Sequence, residues 1–580
     1  MKLREFKTVC KCLVFLSVLC TSVVNCFSLD REAFSFTNYD LNVQVEPEQH
    51  RLGVRGKITL RNDSQSPQKI AVLQVSSSLD WRSVKAADKA LQYVTQPYTS
   101  DIDHTGALSE AIVTLPTPVA PKATIDLEIA YEGVILLDAT RLTRIGTPEE
   151  AANSTDWDQI GPNFAAVRGV GYVAWYPIAT EVANLSEGNS LFEVLGRWKN
   201  REAGSKMRLQ IALTTDNSEP PQILFNGATC PNKMQESMGV SRFLWDCTYQ
   251  PSRLDAPTIV VANYLVLERP AIEVRYLRGH DASAANFADE AQKLLPLITE
   301  WFGTQREKAK TGDLPDPKAA PFESGALLLT PLASEDSKLA GLAAAHQLTH
   351  AAFLSFRPWI EEGLAHFAQA LYLEREKGRP AALDYMGLHR AALTQLEAPT
   401  TVPRFEDQTN RSLVNATDEE LHRSKAMCVW WMLRDMVGEA ALKEALAAYR
   451  PEQDTESAYM PRLIAAHTQR DLQWFFDDWV YRDRGLPDFK VESAFSRKTM
   501  IGSFMLTITL DNLGTAGAEV PVVIKYSGGE IMRRLEGQAK NKTVTRIEVP
   551  AAPQEIVVND GSVPESDMTN NTFKIESTEK

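Results

Sequence analysis

At 580 residues the chain is too long for one hydrophobic core, so roughly three or four domains are expected. A formal net charge of −14, 75 acidic against 61 basic residues and no basic stripe exclude nucleic acid as a partner. The hydrophobic share of 44% and the charged share of 23% are those of a soluble globular protein.

The chain opens with Lys2, Arg4, Lys7 and Lys11, followed by the apolar run CLVFLSVLCTSVV at residues 12–24. A basic segment before a short apolar one is the pattern of an export leader, and the run is too short to span a bilayer as a mature helix. Ser28 suits the residue before a cleavage site, so residues 1–28 are expected to be a signal peptide; an uncleaved anchor is the alternative. Leu19 and Asn25 are poor residues before Cys20 and Cys26 for lipid attachment. No later stretch is long and apolar enough to cross a membrane. The expected location is periplasmic, cell-surface or secreted.

From 29 to 270 the text reads as strands. NYDLNVQVEP, GVRGKITLRND, KIAVLQVSS, ATIDLEIAYEG, RLQIALTT and TIVVANYLVLE alternate with period two or form short β-branched runs between Asn, Asp, Gly and Pro. An antiparallel β domain is expected, with the aromatic RGVGYVAWYP at residues 168–177 in its packing. Of seven cysteines, Cys10, Cys12, Cys20 and Cys26 fall in the leader. Cys230 and Cys247 flank a hairpin-like segment, and an exported protein permits a disulfide there; the spacing leaves both paired and separate thiols open. Cys428, in AMCVWWML, reads as a buried core thiol.

The period changes near Tyr276. Residues 271–486 contain a helix at 282–303, a buried strand ESGALLLTPL at 323–332, and then a succession of helices with apolar spacings of three and four. Trp430, Trp431, Trp474, Phe475, Phe476 and Trp479 fall at helical spacing and are expected to be core. After Pro487 the period returns to two, and 487–580 read as a small β-sandwich. The fold class is α+β, in several domains.

The chemistry concentrates in GLAAAHQLTHAAFLSFRPWIEEGLAHF at residues 341–367. His346 and His350, at i and i+4, share one helix face and reach one metal ion. A glutamate from the next helix completes three protein ligands and leaves a fourth position open. Two satisfied polar residues on a buried helix are the plainer reading of the histidine pair.

The order of parts is a β domain, a strand, HQLTH, WIEEGLAHF, SKAMCVWWML, DLQWFFDDWVYRDRGLP and a β-sandwich. It resembles the membrane alanyl aminopeptidase family (aminopeptidase N, leukotriene hydrolase) of gluzincin zinc metallopeptidases, over nearly the whole chain past the leader. The resemblance implies a thermolysin-like, mainly helical peptidase domain at 271–486 and one zinc ion held by His346, His350 and Glu362, the carboxylate directly before Gly363. It also implies a substrate-binding segment beginning at Gly325 and Ala326.

Three departures weigh against catalysis. The family's general base, the glutamate after the first histidine, is Gln347 here, and an amide takes no proton near neutral pH. The glutamate that grips a substrate's amino terminus is replaced by Leu328, and the catalytic tyrosine, aligned on Lys425, by Arg423. Loss of a general base alone lowers rate roughly 10²–10⁴-fold. His422 or Arg423 would offer charge to an oxyanion but no base. The expected protein is a zinc-binding pseudopeptidase that binds peptides or proteins, with the edge of ESGALLLTPL as the place where a peptide adds as a strand. The alternative is an active zinc endopeptidase with a rewired base, Glu361 being one candidate. Otherwise Glu361 is a carboxylate favoured at a helix N-terminus, and His366 a solvent-edge histidine.

Overall fold

The computed structural model describes residues 29–575 apart from 188–189, 215–219, 238–239, 250–254, 334–336, 398–411, 417–419 and 483. The expected leader, with its four cysteines, lies outside the described residues.

The N-terminal alternation pairs into an eight-stranded sheet. Its spatial order is Asn232–Ser237, Val240–Tyr249, Lys206–Thr214, Phe34–Glu46, Arg51–Asn62, Thr124–Val134, Leu79–Ala86 and Lys89–Ala90. Leu41, Val43 and Val45 point into the core while Asp40 and Asn42 face out, as period two requires. Smaller three- and five-stranded sheets complete this part. The expected antiparallel pairing holds with one exception: Phe34–Glu46 runs parallel to Lys206–Thr214. Parallel neighbours need a long crossover, and the helix Ser190–Glu202 leads directly into the second of them. That helix was not anticipated, although Leu191, Val194 and Trp198 form its buried face at helical spacing. Val170, Val173, Trp175 and Tyr176 of the aromatic segment are core, as expected.

Cys230 and Cys247 form a disulfide, their Cα atoms 4.9 Å apart and 17 residues apart in sequence. Reduction should lower unfolding free energy by about 3 kcal/mol, the value for a closed loop of this size. Urea unfolding with and without reductant measures it. An unchanged midpoint would contradict this.

Glu202, 2% exposed, closes the same helix. Burial pushes its carboxyl up to about 7, against the pull of Arg201 beside it. The protonated form is therefore the one the fold favours. Its stabilisation is complete below the ordinary glutamate range and is lost as pH rises through about 7. Stability should fall by roughly 2–3 kcal/mol between about pH 5 and about pH 8, and Glu202→Gln should flatten that slope. Denaturant midpoints at the two pH values decide the matter.

A second sheet follows, in the order Leu265–Glu268, Ile272–Tyr276, Ala309–Asp313, Leu327–Thr330 and Phe322–Ser324. Its three middle strands run parallel, with the helix Asp281–Phe302 crossing between the first two. The stretch expected as one strand, ESGALLLTPL, is instead a hairpin turning at Gly325 and Ala326. Gly325 takes φ +55° at the first turn residue, where glycine is favoured.

The helices Ser337–Ala352, Pro358–Lys377, Arg379–Glu397, Ala426–Val437 and Glu439–Ala448 then appear where the spacing placed them, and Tyr459–Ala466 is a further helix that the spacing had not marked. Two π-helical turns, Leu421–Lys425 and Asp477–Tyr481, interrupt them. Trp430, Trp431, Phe475, Phe476 and Trp479 are buried and Trp474 packs against them. Burial raises the Cys428 thiol to about 12, so it is an inert core group.

The C-terminal sandwich faces a three-stranded sheet (Phe489–Lys498, Phe504–Asn512, Asn541–Val549) with a four-stranded one (Gly529–Gly537, Ala518–Tyr526, Pro553–Val558, Thr572–Lys574). Buried apolar residues from Ala271 to Val563 form one contiguous core through the helices and into this sandwich.

Candidate metal centre

Four residues make a little more than one helical turn, so His346 and His350 stand one above the other on Ser337–Ala352. Their rings meet at 62° with Nε2 atoms 3.0 Å apart. The helix Pro358–Lys377 packs against this one and brings in Glu362, whose oxygens lie 3.8 Å from His346 Nε2 and 3.9 Å from His350 Nε2. Ligand atoms of these three residues lie within 4.8 Å of one another.

The close approach of the second helix to its neighbours has a specific cause. A Cβ at Gly363 would fall 2.7 Å from Ala426 Cβ and 2.9 Å from Trp430 Nε1. The absent side chain lets Trp359 stack on Trp430, with centroids 5.3 Å apart, and fixes the turn that carries Glu362. Gly341 makes the same allowance for Tyr372 between the two ligand helices.

Residues 346 and 347 point about 100° apart around the helix axis. Gln347 reaches from the next position round the helix to the sheet. Its Nε2 donates to the carbonyls of Ala326, at 2.9 Å, and Lys310, and its Oε1 accepts from Thr311 Oγ1 at 3.2 Å. It is 1% exposed and pins the helix to the strand Ala309–Asp313 and to the hairpin turn at Ala326. Gln347, the residue expected in place of the base, has a structural role as well, because its three hydrogen bonds hold it against the sheet.

Glu361, expected as a helix-end carboxylate, is buried beside the outer nitrogen of His350, Oε1 to Nδ1 3.6 Å. Burial raises its pKa, countered by His350. It approaches Nδ1, the ring nitrogen that is not the one facing His346. Burial also lowers the His350 pKa, yet contact with Glu361 and the charges of Glu362 and Glu323 outweigh this and push it up to about 9. Glu362 responds in the opposite sense. Burial would raise it, but His350, His346, Arg423 and Lys199 hold it well below the usual carboxylate range.

His366 is half-buried. It packs edge-to-face on His346 at 4.9 Å, and burial keeps its pKa well below the usual range. Arg423 sits in the π-helical turn, and its charge acts on Glu362, His366 and His389. His422 is turned to the carbonyl of Ala416 at 3.0 Å. Gly325 lies against the Asp255 carboxylate. The Ala326 carbonyl already accepts from Lys310 N and from Gln347. Leu328 is fully buried among the helices.

Three groups at the site escaped the sequence reading. Glu323 Oε2 is 3.0 Å from His346 Nε2, and it was legible only as one carboxylate in an apolar strand. Lys199 and Asp255 come from the N-terminal part, and no local pattern marks them.

The residues fit a zinc ion. Two imidazole Nε2 atoms and a carboxylate converge, and Glu361 lies beside the outer nitrogen of His350. Negative charge gathers around them from Glu323, Glu361 and Glu362.

No known protein-family profile matches this chain, and no curated protein sequence does. Among solved structures, it is similar to an M1 zinc metallopeptidase from Deinococcus radiodurans at 17% identity, covering 80% of this chain and 97% of that one, TM-score 0.48. A mutant of that enzyme bound to a Tyr-Ser-Ala substrate gives 16% identity, the same coverage and TM-score 0.48. The same mutant without that substrate gives 17% and 0.45. Among the described residues, no helix is long and apolar enough to cross a membrane.

Proposed function

We propose that this is an exported zinc-binding protein built on a metallopeptidase plan whose hydrolytic chemistry is impaired, and that it acts by binding peptides or proteins. The observation that carries the reading is the placement of Gln347. The residue after the first histidine is held by three hydrogen bonds on the sheet side of its helix, away from the two Nε2 atoms.

His346, His350 and Glu362 would hold the ion, and Glu361 would orient His350. Zinc, when bound, supplies Lewis-acid polarisation to a carbonyl or a water. Two positions that the resemblance makes catalytic are filled otherwise: Arg423 contributes charge without a proton-accepting group, and Leu328 is core. Export accords with the leader pattern and with a disulfide, which persists in oxidising compartments. A partner peptide would add to Phe322–Ser324, which lies at the edge of its sheet.

A peptide-library cleavage assay on the zinc-loaded protein tests this. No cleavage above buffer, together with saturable peptide binding, is the expected result. Cleavage that disappears in His346→Ala would overturn it in favour of an active peptidase with a rewired base.

A further inference from the structure

We propose that Glu323 is a fourth protein ligand, so that the site of His346, His350 and Glu362 is closed by the chain and not left open to a substrate; this rests on the metal-binding reading above. Glu323 Oε2 lies 3.0 Å from His346 Nε2, closer to that nitrogen than Glu362 comes at 3.8 Å. His346 Nε2 thus faces His350 Nε2, Glu323 and Glu362 together. One imidazole nitrogen carries at most one proton and serves one acceptor. A cation beside His346 Nε2 would relieve that conflict, and Glu323 would join the group of His346, His350 and Glu362 by way of that nitrogen. Two ligands of one tetrahedral zinc stand roughly 3.4 Å apart, given bond lengths near 2.1 Å. The separations of 3.0 Å between His346 and both His350 and Glu323 are within a few tenths of that value.

The backbone explains how a strand reaches this place. Glu323 is paired with Leu328 across the hairpin, and directly paired residues share a face of the sheet. Leu328 packs into the core of the helical domain, so Glu323 points to the ligand helices. Its neighbour Phe322 turns the other way, onto Tyr172. The carboxylate missing at position 328 is therefore present on the adjoining strand, one residue across.

Charge supports closure as well. Two carboxylates and two neutral imidazoles balance a divalent ion, and the two imidazoles are themselves buried. A four-ligand zinc without an open position is structural. Here it would tie the edge hairpin to both ligand helices.

The test compares zinc affinity, by chelator competition, in the full-length protein and in Glu323→Gln, Glu362→Gln and His346→Ala. The visible spectrum of the cobalt-substituted forms is recorded alongside. Glu323→Gln should weaken zinc by more than about 100-fold, beyond the roughly 10–100-fold that outer-shell partners contribute. It should also collapse the intense tetrahedral cobalt band, while the metal-free melting temperature stays that of the metal-free parent. Should Glu323→Gln fail to fold, Glu323→Asp, which withdraws the carboxylate by one methylene, is read in the same way. If Glu323→Gln keeps parental affinity while Glu362→Gln does not, the fourth-ligand assignment is overturned and the three-ligand site stands. If the parent takes up no zinc, or all variants match it, the metal-binding reading itself fails and this proposal with it.

Discussion

Gln347→Glu will not turn this protein into a peptidase; it will destabilise it by about 4 kcal/mol. The glutamine amide donates to two backbone carbonyls, and a glutamate has no proton for either near neutral pH. Each orphaned buried acceptor costs roughly 1–3 kcal/mol, and a carboxylate facing two carbonyl oxygens at a site 1% exposed adds a desolvation penalty. The variant restores the sequence pattern of a zinc peptidase without placing a base beside the ligands. Urea unfolding measures the loss and a peptide-cleavage assay measures the rate. A stable variant that hydrolyses peptides would show that the side chain turns toward the histidines, and the structural assignment of Gln347 would be wrong.

Zinc removal should have an effect of similar size. A ligand bound only by the folded state stabilises by about 4.1 kcal/mol when free at roughly 1,000 times its dissociation constant. Chelation of the holo protein should therefore lower unfolding free energy by about that amount. The drop should vanish in His346→Ala, whose missing imidazole takes one ligand from the set. Thermal unfolding with zinc and with chelator measures both. An identical melting temperature in the two conditions would remove the metal from the account of stability.

Much of the candidate site was legible because helical spacing is local. His346 and His350 are four residues apart, and the glutamates of residues 361–362 open the next helix, so the periodicity that reveals the helices also aligns these groups. The sign of Gln347 was not legible. A substitution inside a motif reads as a lost function, whereas its hydrogen bonds run to carbonyls on strands about twenty and forty residues away. Glu323 was hidden for a related reason. A single glycine folds its strand back on itself, and the pairing with Leu328 that aims it at the histidines is tertiary information. Among the strands, period two identified Phe34–Glu46, Arg51–Asn62 and Phe504–Asn512 but passed over Leu79–Ala86, Ala107–Val119 and Val240–Tyr249, and the parallel pairing in the N-terminal sheet depended on the helix Ser190–Glu202, embedded in strand-like text.

The apolar core that runs unbroken from Ala271 to Val563 bears on how the site is held. Trp479 donates its indole N–H to the carbonyl of Gly517, and Gly517 N donates to Asp478. Arg379 and Arg534, on either side of the expected boundary near Pro487, both grip Asp435. The helices therefore have no finished outer surface on their sandwich side. A fragment ending at Pro487 would present Trp479 and its neighbours to water. The two helices that carry the candidate ligands are thus buttressed from the far end of the chain, and the last ninety or so residues serve as the wall against which that layer is built.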